Sequence, residues 1–163
     1  MKHTISILVE NHAGVLSRIS GLFSRRGFNI DSLAVGVTDD PSVSRVTLVA
    51  DGDDYMVEQL EKQLNKLVDV IRVRTIPQEE LISRELLLVK INAPAEKRSE
   101  IMTIAEITGA KVVDITTSTI TLEISDRTEK LANFEALIKP YGIKEMVRTG
   151  TIALQRGADA IKR

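Results

Sequence analysis

Apolar positions along this chain follow two periods, one close to 2 and one close to 3.6, and the order in which these periods occur repeats once. Residues 4–9 form a mostly apolar run that predicts a strand. Val15, Leu16, Ile19, Leu22 and Phe23 then recur at helical spacing as a single stripe. Gly27 stops that helix, since glycine takes the left-handed conformation that helix ends favour, and Phe28 is placed to pack back. The next predicted strand, residues 30–37, puts Leu33, Val35 and Val37 on one side and Ser32, Ala34 and Gly36 on the other. The second side is small enough to imply close packing against it. Thr38-Asp39-Asp40-Pro41 makes a turn into a third strand at residues 44–50, with Val46, Leu48 and Ala50 on one face.

Asp51-Gly52-Asp53-Asp54 leads into a second helix carrying Val57, Leu60, Leu64 and Leu67, with Glu58 and Lys62 one turn apart as a supporting pair. A fourth strand is predicted at residues 68–75, where Arg72 and Arg74 alternate with Ile71 and Val73. The order β-α-β-β-α-β is that of a ferredoxin-like unit. Ile76-Pro77-Gln78-Glu79-Glu80 breaks the pattern, and then the order returns. It runs through a strand at residues 85–92, a helix bearing Ile101, Ile104, Ala105 and Thr108, and strands at 112–115 and 120–124. A helix bearing Leu131, Phe134, Leu137 and Ile138 follows, and the last strand is at 143–149. The expectation is an α+β fold of two tandem ferredoxin-like βαββαβ domains, residues 1–76 and 84–163, joined by a linker at 77–83. The basic end, Lys162-Arg163, is expected to be solvent-exposed and frayed.

Composition narrows the classes. The chain has 163 residues, 43% hydrophobic and 28% charged, with a net charge of −1. This suits an ordinary globular protein and gives no bulk attraction to nucleic acid or anionic membrane. Without cysteine, disulfides, thiolate catalysis and cysteine-metal sites are excluded. No run is apolar enough to span a bilayer and none reads as a signal peptide, so a cytoplasmic location is expected. Aromatics are 3% of the chain, too few for the exposed stacking platform of a single-strand RNA reader. His3 and His12 are not spaced as a metal pair or a catalytic triad, and the acidic run 51–54 lacks the ligand alternation of a calcium loop. The threonines at 116–121 lack the Gly-Lys-Thr/Ser of a phosphate loop, and β-propensity accounts for them. No catalytic residue and no metal site is expected.

Candidate chemistry concentrates at Glu10-Asn11-His12-Ala13-Gly14-Val15-Leu16, where the first strand gives way to the first helix. An abrupt helix start presents unpaired N–H groups and the positive end of the dipole, where a carboxylate is a natural guest. Gly14 lets a ligand approach the backbone, and Asn11 supplies an amide that both donates and accepts. The same residues also serve a plain turn, with Asn11 as helix cap and Gly14 closing the loop. Nothing here is a nucleophile or a poised base, so the corner holds a ligand and does not transform it.

Asn11-His12-Ala13-Gly14-Val15-Leu16 resembles the loop of ACT domains, βαββαβ modules that bind amino acids; Ala13 stands where many of them have proline. The resemblance extends through Gly14-Val15-Leu16-Ser17-Arg18, Gly21-Leu22-Phe23-Ser24, Arg26-Gly27-Phe28-Asn29-Ile30, Thr38-Asp39-Asp40-Pro41, Leu67-Val68-Asp69-Val70, Arg84-Glu85-Leu86 and residues 148–157. Taken whole, the chain is similar to the small regulatory subunits of acetohydroxyacid synthase, also called acetolactate synthase.

That resemblance implies a subunit without cofactors of its own. Its partner would be a large catalytic subunit carrying thiamine diphosphate, Mg and FAD. It implies activation of that partner, feedback inhibition by valine, isoleucine or leucine, and a homodimer through the first domain with effector sites shared between chains. Asn11, His12, Ala13, Gly14, Val15 and Leu16 would hold the effector from one chain, and Asn29, Ile30 and Asp31 from the other. The alternative reading is a free-standing ACT-type amino-acid sensor acting on another enzyme or on a transcription factor. No helix-turn-helix flanks the two units, which counts against the transcriptional form.

Overall fold

Alternation along β1 (Lys2–Glu10) sends Ile5, Ile7 and Val9 to one side of a sheet, where they meet the apolar stripes of two helices. The computed structural model describes residues 1–163. The remaining elements of the first unit are α1 (Val15–Arg26), β2 (Asn29–Val37), β3 (Val43–Asp51), α2 (Asp54–Asn65) and β4 (Val70–Ile76). All pairings are antiparallel and the strand order is β2-β3-β1-β4. Ile5 lies opposite Leu48 and Ile7 opposite Val46, so the register keeps both strands' apolar sets on the helix side. Ile19, Leu22 and Phe23 of α1 and Leu60 and Leu64 of α2 close that core.

Local chemistry explains the helix ends. Asp53 caps α2, its Oδ1 accepting from Met56 N–H at 2.8 Å. At the end of α1, Gly27 stands at φ 66° and its N–H donates to Phe23 O, with Arg25 and Arg26 in the last turn beside the negative end of the dipole. Phe28 packs back on the core as expected.

The second unit repeats the plan with β5 (Leu81–Asn92), α3 (Arg98–Thr108), β6 (Lys111–Ile115), β7 (Thr119–Asp126), α4 (Thr128–Ile138) and β8 (Ile143–Arg148). Its strand order is β6-β7-β5-β8, the same as in the first sheet. Leu87, Val89 and Ile91 of β5 face Ile101 and Ala105 of α3 and Leu131, Phe134 and Ile138 of α4 across a separate core. The fold is thus two tandem ferredoxin-like units. No helix is long and apolar enough to cross a membrane.

The structure departs from the sequence expectations in five places. The strand expected from residue 68 begins at Val70; Val68 is 92% exposed in a turn, because burial of its neighbour Asp69 turns the alternate side chain outward. The expected linker 77–83 is a short 3-10 turn, Gln78–Glu80, followed directly by β5, whose polar start at Ser83 and Arg84 hid its true beginning.

An unexpected strand, β9 (Ile152–Gln155), follows, and Arg156 N–H donates to Glu80 O at 2.8 Å. The compact units are accordingly Met1–Ile82 with Thr151–Arg163, and Ser83–Gly150, so the terminal segment expected in the second domain belongs to the first. Its end is held rather than frayed: Arg163 Nη2 pairs with Glu10 Oε1 at 2.6 Å.

This returning segment reaches the small-sided face of β2 at Ser32, while Gly36 at the other end of that face stays open. Thr151 N–H donates to Ser32 Oγ at 2.8 Å, and Arg45 Nη2 donates to Ala153 O at 2.8 Å. Thr4, Ser6 and Thr47, polar residues on the face away from the helices, are buried in consequence.

Candidate functional site

The corner between β1 and α1 is pinned by three backbone or amide hydrogen bonds. Glu10 N–H donates to Asp69 O at 2.9 Å, Asn11 N–H to Ser42 O at 2.8 Å, and Asn11 Nδ2 to Pro41 O at 2.8 Å. Asn11 therefore ties the loop to the β2–β3 hairpin and does not cap α1. The cap position falls to Gly14, at φ 88°, and no side chain bonds the helix start. The N–H groups of the first turn of α1 are left for solvent or a guest. Asn11 Oδ1 remains an available acceptor in the same corner, one amide N–H being given to Pro41 O.

Beside this corner lies a concavity of about 80 Å³. Val15, Leu16, Ile19 and Val35 form its apolar wall, and Asn11 and His12 its polar edge. Leu16 and Val35 are 44% and 47% exposed, so the wall stands open on the β2 side. Small-molecule sites run to about 300–1,000 Å³, so this is part of a site rather than a whole one. Ala13 and Gly14 make the turn itself and line none of it.

Asn29, Ile30 and Asp31 are not brought to this corner within one chain. Asn29 faces Asp51 across the ladder, Ile30 packs against the core, and Asp31 pairs with Lys2 Nζ at 2.9 Å. They begin β2, an edge strand of the sheet that exposes Leu33, Val35 and Val37 along its length.

Two residues that sequence reasoning passed over organise the corner's charge. Asp69 is 7% exposed and accepts from Arg18 Nε at 2.6 Å, with Arg18 Nη2 on the same oxygen. His12 Nε2 lies 3.1 Å from the other carboxylate oxygen. Arg18 is thereby committed to Asp69, which leaves the helix start, not a guanidinium, as the natural seat for a ligand carboxylate. The available signal was an isolated acid inside an apolar stretch, Leu67-Val68-Asp69-Val70, and an arginine one turn after Gly14.

Residues 5–72 match the family described as AHAS small subunit-like ACT domain, and residues 84–157 match the small subunit of acetolactate synthase. The chain is 49% identical to a probable acetolactate synthase small subunit of Archaeoglobus fulgidus, over 96% of this chain and 98% of that one. It is 45% identical to the acetolactate synthase small subunit of Mycolicibacterium smegmatis, over 98% and 94%. Among solved structures, the acetolactate synthase small subunit of Thermotoga maritima superposes with a TM-score of 0.92 at 36% identity, covering 98% of this chain and 99% of that one.

Proposed function

This chain belongs to the acetolactate synthase small-subunit family, and from that premise we propose that it activates an acetolactate synthase catalytic subunit and confers feedback inhibition by valine or another branched-chain amino acid. The observation that carries the effector half of this reading is the open concavity at Asn11–Leu16. An amino acid needs a seat for its carboxylate, an acceptor for its ammonium and an apolar wall for its side chain. The first turn of α1, Asn11 Oδ1 and the Val15–Leu16–Val35 wall answer these in turn.

The concavity is too small to enclose the ligand alone, so a second copy completes it. Pairing along the free edge of β2 would cover Leu33, Val35 and Val37 and bring Asn29, Ile30 and Asp31 of the other chain toward the ligand. Turnover of pyruvate is assigned to the catalytic partner and its thiamine diphosphate, Mg and FAD. The wall does not choose sharply among valine, leucine and isoleucine, because one methylene is worth about 1–3 kcal/mol in a pocket.

The test mixes purified chain with an acetolactate synthase catalytic subunit and measures acetolactate formed from pyruvate, with and without valine. The expected result is a higher rate on adding the chain and progressive inhibition by valine. Asn11→Ala removes the ammonium acceptor and loosens the loop, raising the valine needed for half-inhibition about five- to tenfold while activation persists. An unchanged rate at saturating chain overturns the reading.

A further inference from the structure

On the face of the first sheet away from its helices, the returning C-terminal segment roofs a cavity of about 250 Å³. Its floor is Ser6 of β1, flanked by Arg45 of β3 and Arg74 of β4; Ser6 lies directly opposite Arg74 in the ladder. Its roof is Gly157, Ala158, Asp159, Ala160 and Ile161. We propose that this cavity is a second ligand site, distinct from the effector corner, that takes a small oxyanion (a carboxylate or a phosphoryl group) between Arg45, Arg74 and the Ser6 hydroxyl.

Three observations converge on an anion. Ser6 is 0% exposed, and its Oγ has no hydrogen-bond partner. A buried hydroxyl without a partner is destabilising, and Ser6 lines this cavity. Second, neither arginine forms an ion pair. Arg45 donates to Ala153 O at 2.8 Å and Arg74 Nη1 to Gln155 Oε1 at 3.2 Å, leaving most of the five N–H donors of each guanidinium unspent.

Third, the charges do not balance. Two guanidinium groups face the single carboxylate of Asp159 in the lining, and the Glu80 carboxylate outside it accepts from Gln155 Nε2 rather than from either arginine. Burial and the neighbouring Arg74 hold the Arg45 guanidinium below its ordinary pKa range, a cost that a bound anion relieves. Water alone satisfies the hydroxyl but not the charge. The volume lies below the range of drug-sized sites, which selects a small ligand.

The experiment uses the full chain. Thermal unfolding and calorimetric titration are followed with inorganic phosphate and, separately, acetate, against sodium chloride of equal ionic strength. A saturable stabilisation by at least one anion is expected, and the anion that saturates tells phosphoryl from carboxylate recognition. Ser6→Ala and Arg74→Gln should each weaken that binding about tenfold or more. Without added anion, Ser6→Ala should be at least as stable as the parent, because the unpartnered hydroxyl is gone.

No saturable response beyond chloride overturns the proposal. Parent-like affinity in either variant also overturns it, since the response would then come from an adventitious ion only. If Arg74→Gln fails to fold, Ser6→Ala decides alone.

Discussion

Gly14 is the residue at which turn geometry and ligand access are hardest to separate. At φ 88° it occupies backbone that side chains resist, and a Cβ there would stand 3.0 Å from Arg18 Nη1. Gly14→Ala should therefore cost about 1–2 kcal/mol from backbone strain, and it also presses on the guanidinium that holds Asp69. For a chain of this size the melting temperature should fall by roughly 2–8 °C, readable by calorimetry. An unchanged value would show that the loop readjusts at no cost. Gly14→Asp is a poor probe of effector binding for the same reason. The loop would strain, and the new carboxylate would compete with Asp69 for Arg18. Asn11→Ala, whose backbone carries no positive φ, separates the two roles better.

At the scale of elements, β2 and its hairpin control the site. The edge of β2 presents Leu33, Val35 and Val37, apolar groups on a strand with an unpaired side. Val37→Arg places a charge where the proposed dimer would bury a methyl pair, at a position that does not line the concavity. It should shift sedimentation equilibrium toward monomer and weaken valine binding together, since a ligand that bridges two chains favours the assembled state. A monomer that binds valine as the parent does would rule out the shared site.

The hairpin tip adds a pH dependence. Asp40 accepts from Ser42 Oγ at 2.7 Å and Ser42 N–H at 2.9 Å, and these bonds hold its carboxyl below the usual aspartate range. A depressed folded-state pKa gives stability that is present above the ordinary value of about 3.9 and lost as pH falls through the lowered one. The Ser42 amide resonance should accordingly titrate with a midpoint below about 3.9. Asn11, which bonds Pro41 and Ser42 in the same tip, should loosen over that acid range. A midpoint at or above the ordinary value would contradict the bonding seen here.

Across the whole molecule, the first unit is made of two separated stretches of chain. Ending the chain at Gly150 removes the segment that covers Ser6, Thr47 and Arg45, so amide exchange in β1 and β3 should accelerate while β6 and β7 of the second unit keep their protection. Equal protection in β1 with and without residues 151–163 would show that the segment is not part of the unit's fold. A fragment of residues 1–76 lacks the same cover, so its failure to bind valine would not locate the effector site.

The sequence by itself determined the elements, their order and their repetition. An amphipathic strand or helix writes its buried side into local spacing, as in Ile5-Ile7-Val9 or Ile19-Leu22-Phe23. It also determined the corner, because a strand, a glycine turn and a helix start are all local events. Tertiary structure decided what local spacing does not encode. Asn11 reaches Pro41 across 30 positions, Arg18 reaches Asp69 across 51, and Thr151 reaches Ser32 across 119. Ser6 looked like an interruption in an apolar run, yet it is fully buried because a segment from the far end of the chain covers that face. Such partners are set by the closing of the sheet and the return of the terminus, and each leaves only a polar residue in the sequence whose partner spacing alone cannot name.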